Sequence, residues 1–168
     1  VRYANADVSA LAAPPYDVLD TSSKGKLLDK NAKNIVAIDL PHVPAKQPGP
    51  DAAYQGAADA YRAMLSDGTL AQCKAPSMFA YRQSYTFEGR DLQRCGMACT
   101  VETVPLGPDT DASRGGGILP HEQTFSGPKE DRMALMKATR CQLSPIFGLH
   151  PDDQGKASEL VRSVMESR

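Results

Sequence analysis

Between Gly115 and Leu149 the chain reads GGGILPHEQTFSGPKEDRMALMKATRCQLSPIFGL, and few other stretches hold so many groups able to do chemistry. His121 titrates near neutral pH and can move protons. Glu122 can serve as a base, an orienter or a metal ligand. Neighbours on an extended chain point to opposite sides, so the two need not meet one substrate. A pair that merely fixes a loop is the alternative. Lys129 and Arg132 lie three apart, share a helix face and can clamp an anion, with Arg140 further along the same helix. Gly116 and Gly117 belong to a triple glycine whose backbone can approach a phosphate closely, or simply link two elements. Thr124 joins them among the ligand-binding candidates. His121, Glu122 and Asp17 are the catalytic ones.

The helix start Ser126-Gly127-Pro128-Lys129-Glu130-Asp131-Arg132 offers free backbone N–H groups, the usual setting for a bound phosphate. Pro128 removes one donor, and Glu130 and Asp131 already bring negative charge. No GxxxxGK[ST] loop occurs. A capped helix with surface charges, Arg132 pairing only with Glu130 or Asp131, is therefore the competing reading. Asp17, after Pro14-Pro15-Tyr16, is expected either to act as base or metal ligand or to cap the helix that follows.

These groups must be positioned by an ordinary soluble chain. Its 168 residues suit about one domain, and 41% are apolar. With 19 basic and 20 acidic residues the net charge is -1, so no global field favours nucleic acid. No apolar run is long enough to span a bilayer as a helix, so no membrane partner is expected. Cys73, Cys95, Cys99 and Cys141 lack a CxxC pair or a histidine cluster, which argues against zinc. Two residues four apart on a strand are roughly 13 Å apart, too far for Cys95 and Cys99 to bridge. Buried or half-buried free thiols in a reducing cytoplasm are expected.

The hydrophobic pattern predicts a helix from Thr21 or Ser22 to about Asn31, then a strand over Asn34–Leu40, NIVAIDL. A Pro-rich exposed loop over 41–50 follows. A helix over 52–66, capped by Asp51 and stopped at Asp67-Gly68, is the clearest element. Strands over 78–87 and 90–104 form a hairpin about Glu88-Gly89. Its aromatic residues Phe79, Tyr81, Tyr85 and Phe87 share a face, read as core rather than as a stacking surface. A helix from Gly127-Pro128 to about Arg140, a strand over 146–149 and a helix over 154–166 complete the chain. The fold class is α+β, a mixed sheet with a central antiparallel hairpin and flanking helices.

APPYDV at 13–18, NIVAIDL at 34–40, ILPHEQT at 118–124, GPKEDRMALMKAT at 127–139 and LSPIFGLHPD at 143–152 resemble the N-terminal half of the bacterial domain-of-unknown-function family 1015. The resemblance implies a chain that is the N-terminal part of a longer protein. Longer members continue into a second half with a DGHHR-type motif similar to one in ParB/sulfiredoxin-like proteins. That superfamily includes nucleotide hydrolases and a free-serine kinase, and the motif is not found in this chain. The expected function is a half-site for phosphate or nucleotide binding in small-molecule phosphoryl transfer. Its cofactor would be a nucleotide with Mg²⁺ and its partner a small phosphorylated ligand. The alternative is a non-catalytic module for ligand sensing or protein interaction.

Overall fold

A computed structural model describes residues 1–5, 7–108, 117–121 and 123–167. The fold is α+β, with helices and three small antiparallel two-stranded sheets. The chain divides into two compact units, Val1–Cys73 with His121–Ile146, and Lys74–Pro120 with Phe147–Arg168.

In the first unit the short strands β1 (Arg2–Tyr3) and β2 (Leu70–Ala71) pair antiparallel. Helix α1 (Thr21–Lys30) is capped by Asp20, whose side chain accepts from the Ser23 N–H at 2.7 Å. The cap therefore lies one residue before the expected Thr21 or Ser22. Helix α3 (Asp51–Ser66) starts at Asp51 itself, directly after Pro50. It ends at Asp67-Gly68, with Gly68 at φ 78°. Tyr54, Ala57 and Met64 of α3 pack with Ile38, Leu70 and Leu135 to form the core.

The expected strand over 34–40 is instead the short helix α2 (Val36–Asp39). Asn34 decides this. It is fully buried, and its Oδ1 accepts from the Val36 N–H at 3.0 Å, turning the chain into a helical start. Its Nδ2 donates to the carbonyls of Ala10 and Ala12 at 3.0 and 2.7 Å. One asparagine thus winds α2 and ties it to the segment leading to Tyr16. A short apolar run buried on most sides has no period that separates strand from helix.

Helix α4 (Ser126–Thr139) packs on α3. Arg140 closes α4 in a left-handed conformation at φ 54°. The expected strand over 146–149 is irregular chain.

In the second unit β3 (Phe79–Phe87) and β4 (Arg90–Ala98) form the expected hairpin. Glu88 and Gly89 both have positive φ, 49° and 72°, matching a two-residue turn whose twist suits the strands. The second arm stops at Ala98 rather than 104. Tyr81 lies opposite Gly96, where a Cβ would fall 2.5 Å from the tyrosine ring. Helix α5 (Lys156–Glu166) packs on the hairpin, and Asp152 accepts from the N–H groups of Ala157 and Ser158 at its start. Strands β5 (Gly107–Pro108) and β6 (Gly117–Ile118) pair separately. The aromatic face is not core: Phe79, Tyr85 and Phe87 are exposed, and only Tyr81 is half-buried. All four cysteines are free; Cys73 and Cys141 are half-buried, whereas Cys95 and Cys99 are exposed.

Candidate functional site

The start of α4 is fixed by a close backbone approach. A Cβ on Gly127 would sit 2.6 Å from the Lys46 carbonyl oxygen, so glycine alone lets the 41–50 segment lie against this helix. That segment, expected to be an exposed loop, instead folds inward. The Gly49 N–H donates to the Tyr54 hydroxyl at 2.7 Å, and a Cβ on Gly49 would collide with the His42 ring.

Both groups converge on Asp131. Expected on the surface, its side chain is 0% exposed. It lies on the α4 stripe that also buries Leu135 and Thr139. Its Oδ1 accepts from the Tyr54 hydroxyl at 2.8 Å and from His42 Nε2 at 2.9 Å. Its Oδ2 accepts from Arg132 Nε and Nη2 at 3.0 and 2.7 Å. Burial alone would push this carboxyl up, but the hydrogen bonds from Arg132, His42 and Tyr54 outweigh it. They hold Asp131 below the ordinary carboxylate range.

Arg132 links this carboxylate to two other parts of the unit. Its Nη1 donates to the Asp39 carbonyl at 2.8 Å and to Asp39 Oδ1 at 3.1 Å, at the end of α2. Its guanidinium stands 3.8 Å from the centre of the Tyr16 ring, a cation–π contact. Burial raises the Asp39 carboxyl above its usual value despite Arg132 beside it. Burial likewise raises the Tyr16 and Tyr54 hydroxyls. Tyr61, against the Cys141 thiol, is raised to about 12, chiefly by burial.

Beside this network lies an open cleft of about 260 Å³. Leu135, Met136, Leu143 and Ile146 give it apolar walls, and Tyr16, Thr124, Lys129, Arg132 and Ser144 supply polar groups. Three of the sequence candidates, Thr124, Lys129 and Arg132, therefore share one cleft. His121 is exposed and is not among the lining residues. Arg140 is exposed at the α4 terminus, also outside the lining. Asp17 sits in a 3₁₀ turn, 3.2 Å from the Lys46 ammonium. It does not cap α1, the role Asp20 takes. Gly117 lies in β6 of the second unit. Gly116 and Glu122 lie outside the described residues.

Sequence reasoning missed Asp39, His42, Tyr54 and Asp131 as one constellation. The available signal was helical phase: Asp131, Leu135 and Thr139 recur every four residues and share the inner face of α4. Among the described residues, no three His, Cys, Asp or Glu side chains stand together to hold a metal ion. No helix of the described residues is long and apolar enough to cross a membrane.

No curated protein and no solved structure shows significant similarity to the chain. Residues 1–168 match the family described as protein of unknown function DUF1015. The Tyr16 turn, the α2 segment and the helix carrying Asp131 and Arg132 are the blocks through which that family resemblance runs. The chain belongs to the DUF1015 family.

Proposed function

We propose that the cleft beside α4 is a half-site for a small phosphate-bearing ligand, serving phosphoryl transfer in a longer protein. The supporting observation is that Thr124, Lys129 and Arg132, selected for anion binding from their residue types, line the same cleft. Lys129 supplies a point charge to phosphate oxygens and Thr124 a hydroxyl. The first turn of α4 has no side-chain cap, so its N–H dipoles add to the attraction. His121 and Glu122 are the proton-handling pair in this reading. A nucleotide with Mg²⁺ is the phosphoryl donor. Positioning and electrostatic stabilisation would do most of the catalysis.

A second reading, a non-catalytic ligand-sensing module, draws on Arg132. Its guanidinium is engaged by Asp39 and Asp131, a structural use of the residue best suited to catalysis. Thermal melting with inorganic phosphate, nucleotides and serine, with and without Mg²⁺, tests the site. Ligand at a hundredfold excess over Kd stabilises by about 2.7 kcal/mol. That corresponds to roughly 5–10 °C for a chain of this size. No shift with any phosphate compound rejects the phosphate half-site.

A further inference from the structure

Arg132 cannot grip an anion with its usual fork. A guanidinium has five N–H groups. Nε and Nη2 each give one to Asp131 Oδ2, and Nη1 gives its two to the Asp39 carbonyl and Oδ1. One donor remains, and Tyr16 covers a face of the group. Two carboxylates flank the one cation, so the local charge around Arg132 is negative rather than positive.

Lys129 differs. It is exposed, lines the cleft, and no ion pair engages it among the described residues. Behind it the wall is aliphatic, from Leu135, Met136 and Leu143. The volume, about 260 Å³, falls just under the range of roughly 300–1,000 Å³ for pockets that enclose drug-sized ligands. A triphosphate chain would lay several negative charges beside Asp39 and Asp131 with one lysine to meet them.

We infer that the cleft takes a small acid with one compact anionic end and an apolar body, its anion met by Lys129 and its body laid on Leu135, Met136 and Leu143. This rests on the cleft being a ligand site, as proposed above. Arg132 is then a positioning residue that holds one wall, and the cleft does not enclose a nucleotide.

The experiment is calorimetric titration of the full chain with alkyl phosphates from methyl to hexyl, the matching alkyl carboxylates, inorganic phosphate and ATP. Affinity is expected to rise roughly two- to fourfold per added methylene. Lys129→Ala, at an exposed position that leaves the fold intact, is expected to weaken hexyl phosphate roughly ten- to hundredfold. Lys129→Arg should restore most of that loss. ATP should bind more weakly than hexyl phosphate. Affinity that stays flat with chain length, or ATP binding tighter than hexyl phosphate, overturns the inference while leaving a phosphate site standing. A rising carboxylate series with a flat or absent phosphate series supports the inference and rejects the phosphate reading. Absence of binding by every compound removes both.

Discussion

The two compact units hold themselves together by different means. The first buries ten hydrophobic residues, from Leu11 to Leu135, and three polar ones, Asn34, Asp131 and Thr139. In the second, no described residue is buried; its hairpin and α5 keep Phe79, Tyr85, Phe87, Met97, Leu160 and Val164 at the surface. A chain of this length has apolar material for a core, but only the first unit spends it on one. Cooperative stability therefore concentrates in the unit that also carries the cleft.

The sharpest way to break this contrast is to strike the polar centre of the first unit. Asp131→Ala leaves Arg132, His42 and Tyr54 facing a hole, and a loss of about 3–5 kcal/mol is expected in chemical denaturation. A loss under about 1 kcal/mol would show that the network adds little. Next in size is Gly127→Ala. Its new methyl meets the Lys46 carbonyl, and about 1–3 kcal/mol should be lost as the 41–50 segment is pushed away. An unchanged melting temperature would mean that this approach relaxes freely. The smallest effect belongs to the second unit: Phe87→Ser, at an exposed hairpin end, should change stability by less than about 0.5 kcal/mol. Hydrogen exchange gives the same comparison without mutation. Amides of α3 and α4 should exchange only with global unfolding, and those of β3 and β4 well before it.

Acidity sharpens the contrast within the network. The Asp131 carboxyl is lowered in the folded state, so its contribution is complete above the ordinary carboxylate value, near pH 4. It is lost as pH falls through the lowered value. Asp39 is raised, so its contribution has the opposite sign, complete below about pH 4 and lost as pH rises through its elevated value. Melting temperature followed against pH should lose its acid limb in Asp131→Asn and its shallow decline above pH 4 in Asp39→Asn. Identical profiles for the two variants would refute the assignment of opposite signs.

Local signals made part of this structure legible. The i, i+3, i+4 pattern of α3, the Glu88-Gly89 turn and the Gly68 stop each depend on residues close in sequence, and each is found. Of the cleft, Thr124, Lys129 and Arg132 could be picked out by type. What was not legible depended on distant partners. Asn34 wound an apolar run into α2 through the carbonyls of Ala10 and Ala12. Asp131, an acid beside Glu130 in a helix start, reads as a surface charge until its helical phase is set against Leu135. His42 gave no signal, because its role depends on Tyr54 and Asp131, 12 and 89 residues away. The hairpin aromatics alternate as core residues do, yet nothing within their own unit buries them.

Arg132 touches Tyr16, Asp39 and Asp131, from three separate blocks of the chain. Substitutions at these positions share one partner, so their effects should not add. Once Arg132 is gone, changing Asp39 should cost little, and with Asp131 already neutral, Arg132 loses much of its reason to be cationic. In evolutionary terms the three blocks are an epistatic set. A lineage can exchange the whole arrangement for an uncharged one, but each single step towards it passes through a less stable protein.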